Sequence, residues 1–157
     1  MKTLTRKATS EEITALRKNA TLTGFPKNEI GSPKDSRPFA RHFVKQATNG
    51  QIIAGCSFIP SKYKNDPAWE LYAVTNHSSF LINMMSMFGK VEVTYEHELI
   101  KEAAEILLGI DPTVIIIWSD VPEVVAWVYK NYGWQHAGEK HPDTDGKLRP
   151  RMFKKLD

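Results

Sequence analysis

The chain has 157 residues, about one domain's worth, and a core of that size can stand without disulfides or metal. Its 41% apolar and 25% charged residues exclude a disordered chain, and the longest apolar run, residues 114–118, is too short to span a bilayer. A net charge of +3 permits an anionic ligand such as a coenzyme or nucleic acid without requiring one.

These bounds predict a single domain over residues 1–157 with no membrane association. The lone Cys56 cannot form an internal bridge and lies in an apolar run, which points to a buried thiol in a reducing, cytoplasmic setting. The polar amino terminus carries no signal-peptide pattern.

In chain order, residues 4–8 read as a short strand. Thr9 or Ser10 then offers an oxygen to cap a helix with Glu11 and Glu12 in its first turn, Ile13 and Leu16 on its buried face, and an end near Gly24. Residues 25–38, broken by Pro26, Pro33 and Pro38, read as a loop. Residues 39–48 and 51–59 flank Asn49-Gly50, a pair suited to the two positive φ values of a type I′ hairpin turn. A polar connection is expected over 60–67, and 68–74 return as a strand with Glu70, Tyr72 and Val74 on one face.

Ser78 or Ser79 can cap a short helix running through Phe80, Ile82 and Met84 toward Gly89, its methionines read as core packing. Residues 96–108 put Leu99, Ala103, Ile106 and Leu107 on one helical stripe, ended by Gly109 and Pro112. Residues 113–118 form a β-branched run typical of a strand buried on both faces. Ser119-Asp120 is expected to cap a following helix with Pro122 in its first turn, reaching Asn131. Gly133 stops that helix, and 134–140 and 148–156 read as a final strand pair turning at Asp145-Gly146. The order is a mixed α/β or α+β layout.

Four segments add a family resemblance: Thr5-Arg-Lys-Ala-Thr-Ser-Glu-Glu, Gly50-Gln-Ile-Ile-Ala-Gly-Cys, Trp69-Glu-Leu-Tyr-Ala-Val and Ala126-Trp-Val-Tyr-Lys-Asn-Tyr-Gly-Trp. With the element order, they resemble a divergent member of the GNAT superfamily of acyl-CoA-dependent N-acetyltransferases. The last segment carries most of the likeness, through the Tyr-x-x-x-Gly-aromatic pattern of Tyr129, Gly133 and Trp134. The resemblance implies a central, mostly antiparallel twisted sheet of six to seven strands with helices on both faces. It also implies acetyl-CoA as co-substrate, entering between strands 69–74 and 114–118 against the backbone of Tyr72, Ala73 and Val74.

By the same resemblance, Tyr129 is the general acid beside the thioester sulfur and Glu70 the base, acting directly or through water. A phenol suits the first task because it stays neutral at working pH yet can protonate a thiolate. The residues alone leave Tyr129 open as a packing residue, Tyr132 as its chemical equal, and Glu70 as an ordinary strand residue. The chain departs from the family after Val74, where no basic-x-x-Gly-x-Gly/Ala loop occurs. His77, Ser78 and Ser79 are the candidates for replacement phosphate contacts, since backbone N–H groups at a helix start hold anions, whereas Glu96 and Glu98 would repel phosphate; an ordinary loop histidine and two plain helix caps are the other reading.

His97-Glu98 resembles the start of a zinc-binding His-Glu-x-x-His helix, but Lys101 stands where the second histidine belongs, so no metal site is expected. Two other readings stand beside acyl transfer. Asn76-His-Ser-Ser-Phe-Leu-Ile and Trp118-Ser-Asp are similar to phage Mom-like nucleic-acid base-modifying proteins, with Lys27, Lys34, Arg37, Arg41 and Lys45 as a basic stretch for phosphates. A catalytically inactive GNAT-like binding module is the other. The acceptor stays open among a small-molecule amine, a protein and a nucleic acid, as does assembly into a homodimer.

Overall fold

The computed structural model describes residues 2–18, 34, 37–76, 94–123, 126–142 and 146–156. The opening strand β1 (Thr3–Ala8) leads into helix α1 (Ser10–Lys18) through a reciprocal cap. The Glu12 N–H donates to Thr9 Oγ1 at 3.2 Å and the Thr9 N–H donates to the Glu12 carboxylate at 3.1 Å, so Thr9, rather than Ser10, is the cap. Arg6 grips the same carboxylate at 2.6 and 3.2 Å. The Arg6 hydrogen bond, then that of the Thr9 backbone, holds the Glu12 carboxyl down at about 2. The expected end of α1 near Gly24 and the expected helix at 78–89 lie outside the described residues.

Strands β2 (Arg41–Ala47) and β3 (Ile52–Tyr63) form the expected hairpin, but with a different turn. Gly50 has φ 90°, whereas Asn49 is not in the left-handed region. Instead the Asn49 side-chain oxygen accepts the Gln51 N–H at 2.9 Å, and the Ala47 N–H donates to the Gln51 carbonyl at 2.8 Å. The loop is therefore three residues, with the glycine alone at positive φ. A two-residue turn of the I′ kind does occur, at Lys64-Asn65 with φ 48° and 70°, joining β3 to β4 (Asp66–Asn76). Residues 60–67, expected as a polar connection, are thus mostly strand, because Tyr63 and Ala68 bury against Trp118 and draw the hairpin out to its tip.

Helix α2 (Thr94–Ile110), strand β5 (Ile116–Asp120), helix α3 (Ala126–Asn131) and strands β6 (Gln135–Pro142) and β7 (Leu148–Lys155) complete the described chain. One seven-stranded sheet results, in the order β1-β2-β3-β4-β5-β7-β6, antiparallel throughout except where β5 runs parallel to β4. That single parallel step follows from the α2 crossover between the two strands. Ser119 and Asp120, expected to cap a helix, belong to β5 itself. None of the described helices is long and apolar enough to cross a membrane.

Helices cover both faces of the sheet. On one, Leu99, Ala103 and Leu107 of α2 and Tyr129 of α3 pack with Phe43, Cys56, Phe58, Leu71 and Ile117 into the main core. On the other, Ile13 and Leu16 of α1 press onto Gly55, where a Cβ would stand 2.9 Å from Ile13 Cδ1 and 2.7 Å from Leu16 Cδ2. Both neighbours are buried, so the space has to be made by moving packed side chains. Gly55→Ala is expected to destabilise the fold by about 1–3 kcal/mol, read as a lower urea midpoint at unchanged m-value. An unchanged midpoint would mean that α1 floats on the sheet.

Candidate functional site

The ladder between β4 and β5 is short, and its end makes the site. Trp69 pairs with Ile117 and Glu70 with Trp118; past that point no further pair joins the two strands. The cause lies on the other side of β4. Ser57 pairs with Ala73 but Phe58 pairs with Leu71, leaving Tyr72 as an extra residue, and such a bulge bends and twists its strand. Ser119 Oγ spans the opening, donating to the Leu71 carbonyl at 2.6 Å, and β5 then turns to β7, where the Val121 N–H donates to the Pro150 carbonyl at 3.0 Å. Residues 73–76 of β4 therefore present a backbone edge that β5 does not pair among the described residues.

The bulge also reassigns side chains. Glu70 and Tyr72 share the α1 face, as expected, but Val74 does not. Tyr72 and Ala73 pack with Ile59 on that face, while Trp69, Leu71 and Val74 lie in the main core. The extra residue shifts the alternation by one, which no reading of β4 alone could foresee.

A polar cluster occupies the α1 face beside the opening. Glu70 is ion-paired with Lys34 at 3.2 Å, and the Lys34 ammonium lies 5.6 Å from the centre of the Tyr72 ring. Arg17, 2% exposed, sits 5.8 Å from the same ring and donates to Ser57 Oγ at 2.8 Å, where His42 Nδ1 also meets the hydroxyl at 2.8 Å. Next to Glu70 across the parallel pair, Trp118 lies 4.1 Å under the Arg151 guanidinium, which makes two hydrogen bonds to Asp120 at 2.8 and 2.9 Å. Burial opposes the Arg151 charge, but the Asp120 hydrogen bond and charge, with Glu139 and Glu70 farther away, outweigh it and raise the pKa.

Tyr129 is on the opposite face, 3% exposed, and its position is explained by the end of α3. The Trp134 N–H donates to the Tyr129 carbonyl at 3.1 Å, the Gly133 N–H donates to the Lys130 carbonyl at 3.1 Å, and Gly133 has φ 90°. This is a Schellman cap, and its usual apolar contact is the edge-on packing of Tyr129 with Trp134 at 5.2 Å. The Tyr-x-x-x-Gly-aromatic pattern is thus a helix stop that also buries the tyrosine. Burial, then the charges of Glu96 and Cys56, pushes the phenol pKa well up.

His97 packs edge-on to Tyr129 at 4.8 Å and stacks flat on the half-exposed Tyr132 at 4.1 Å. Burial, then the Lys154 charge, lowers its pKa to about 4. Beside it a cavity of about 480 Å³ runs between α2 and the end of β7, lined among others by Ile100, Lys101, Ala104 and Lys154.

Of the residues singled out from sequence, Glu70, Tyr72 and Ala73 come together on the α1 face, while Val74 and Tyr129 lie on the α2 face. The sheet itself separates the two groups. His77, Ser78 and Ser79 lie outside the described residues. The expected basic stretch is not a continuous exposed surface among those described: Lys45 is 1% exposed between Glu98 and Glu102, and Lys34 is held by Glu70. Sequence reasoning missed Arg17, His42, Ser57, Asp120 and Arg151. The one available signal was Arg17, a charge one turn after Ile13 on the buried stripe of α1.

Comparison with solved structures gives whole-chain likenesses at low identity. One is a structure described as histone acetyltransferase HPA2 and related acetyltransferase from Corynebacterium glutamicum, 16% identical with a TM-score of 0.64, over 100% of this chain and 98% of that one. A spermidine N-acetyltransferase SpeG chimera from Vibrio cholerae and hSSAT is 13% identical with a TM-score of 0.63, over 99% and 96%. An acetyltransferase of the GNAT family from Streptococcus pneumoniae is 14% identical with a TM-score of 0.62, over 99% and 100%. No protein-family model and no curated protein matches the chain.

Proposed function

We propose that this chain, which has the GNAT acetyltransferase fold, transfers an acyl group from acyl-CoA to an amine by direct attack. The observation that carries this reading is the end of the β4–β5 ladder after Glu70 and Trp118, beyond which residues 73–76 of β4 are not paired by β5 among the described residues. A pantetheine arm, with its two amides, suits such an edge. Tyr72, Ala73 and Val74 would serve it through their backbone, so their side chains are free to be core. His77, Ser78 and Ser79, which follow this edge in the sequence, would contact the coenzyme phosphates.

The coenzyme supplies the activated thioester; the residues supply placement and proton handling. Glu70, fixed by Lys34, is positioned to take the proton that an ammonium must lose before its nitrogen attacks the carbonyl carbon, directly or through a water. As the carbon–sulfur bond breaks, the thiolate needs a hydrogen-bond donor, and the buried phenol of Tyr129 would supply it. Holding both reactants at one opening in the sheet removes much of the entropic cost of the encounter.

Solved structures of this fold are described as acting on acceptors as different as spermidine and nourseothricin. The fold therefore supports transfer to an amine, and the acceptor has to be read from the α1 face. Isothermal titration with acetyl-CoA and CoA tests the proposal: binding in the micromolar range is expected, and no heat up to millimolar coenzyme would overturn it in favour of an inactive binding module.

A further inference from the structure

On that reading of the site, we propose that the acceptor is a small amine carrying its own carboxylate or phosphate, and that Arg151 anchors the anionic end. A site for a polyamine needs carboxylates beyond the one that meets the reacting amine, and they must not already be neutralised. Among the described residues, the two carboxylates beside the opening are both matched: Glu70 by Lys34 at 3.2 Å and Asp120 by Arg151 at 2.8 Å. Glu139, the next nearest to act on Arg151, is exposed and lies 3.2 Å from His141. A polycation would have to displace a lysine or an arginine and would also face Arg17.

Arg151 is built to receive an anion. Asp120 takes hydrogen bonds from Nε and Nη2, and the Trp118 ring supports the guanidinium plane at 4.1 Å, so the group is held rigid. A guanidinium has five N–H donors, and Nη1 makes no hydrogen bond among the described residues. Its side chain is 21% exposed, open enough for a ligand and dry enough for the contact to count. β7 and β4 are separated by two strand spacings, roughly 10 Å, and Glu70 still acts on the Arg151 charge across them. An acceptor whose anion and amine are a few bonds apart would span that distance, with its amine at Glu70.

The test is an acceptor titration of the full chain without coenzyme, followed by calorimetry or ligand-observed NMR. O-phosphoethanolamine probes the phosphate source, γ-aminobutyrate the carboxylate source, and spermidine the polycation. One of the anionic amines is expected to bind tighter than spermidine. Arg151→Gln should weaken that amine by about tenfold or more, while spermidine binds as well or better because Asp120 is uncovered. Asp120→Asn, which keeps the guanidinium and removes its competitor, should tighten the anionic amine, and it keeps the proposal testable if Arg151→Gln fails to fold. Tighter binding of spermidine by the native chain, binding of neither anionic amine, or indifference of the bound amine to both substitutions would overturn the proposal. Because no coenzyme is present, failure here is distinct from failure of the coenzyme titration.

Discussion

Replacing Tyr129 by Phe is expected to lower kcat for acyl transfer by about 10²-fold or more, with the KM for acyl-CoA little changed. The substitution removes one oxygen and keeps the ring, so the edge-on contacts with His97 at 4.8 Å and Trp134 at 5.2 Å survive, as does the Schellman cap, which uses only the Tyr129 carbonyl. A purely structural tyrosine would therefore leave turnover near the native value. With burial raising its pKa, the phenol remains protonated across the working range. It is also a weaker acid than a free phenol, so in the proposed reaction it would donate a hydrogen bond to the thiolate as the carbon–sulfur bond opens. The alkaline limb of the pH–rate profile should then be unchanged in position in the variant. Native turnover in Tyr129→Phe, at an unchanged melting temperature, would remove Tyr129 from the chemistry.

Stability is expected to fall by about 3 kcal/mol as pH drops from about 6.5 to about 4, through His97. The sign follows from where the proton binds. In the fold, burial first and Lys154 second depress the imidazole from its ordinary 6.5 to about 4, so between those values the unfolded chain takes up a proton that the folded chain refuses. The contribution is fully present above 6.5 and is lost as pH falls through the folded value. Glu12 acts in a lower window, from its ordinary 4.5 down to about 2, for the corresponding reason: its carboxylate is held by Arg6. Urea unfolding at pH 7, 5.5, 4.5 and 3 separates the two, since the loss down to 4.5 belongs to His97 and most of that below 4 to Glu12. His97→Phe keeps an aromatic ring between Tyr129 and Tyr132 and removes the titrating group, so the upper limb should flatten. An equal loss in that variant would place the acid sensitivity elsewhere.

How much of this was legible from sequence depended on whether a feature is local. Thr9 and Glu12 stand three residues apart with the chemistry of a capping box, and Gly133 stands one helical turn after Tyr129 where a left-handed residue ends a helix. Both features close within a few bonds, so the residues themselves state them. The turn at Asn49-Gly50 shows the limit of such reading: the pair allows two positive φ values, yet the Asn49 side chain satisfies the Gln51 N–H from ordinary backbone and only Gly50 needs the special conformation. The cap expected at Ser119-Asp120 failed differently. Ser119 finds the Leu71 carbonyl and Asp120 finds Arg151, partners 48 and 31 residues distant, and they outcompete a local role.

The candidate site divides along the same line. Glu70 and Tyr129 could be named in advance because they sit in segments that resemble a family. Arg17, His42, Ser57 and Arg151 could not, since each gains its role from a residue brought near by the sheet.

Periodicity in most strands and helices, the Thr9 cap and the glycine that stops α3 can be read from the residues themselves. These follow from backbone geometry and side-chain chemistry over a few residues. The site comes from pairing between distant strands. Pairing with β3 makes Tyr72 the extra residue of β4, and that bulge turns Val74 away from Glu70, ends the ladder with β5 and opens the sheet between them. Which residue is extra depends on two strands jointly, so neither strand alone contains it.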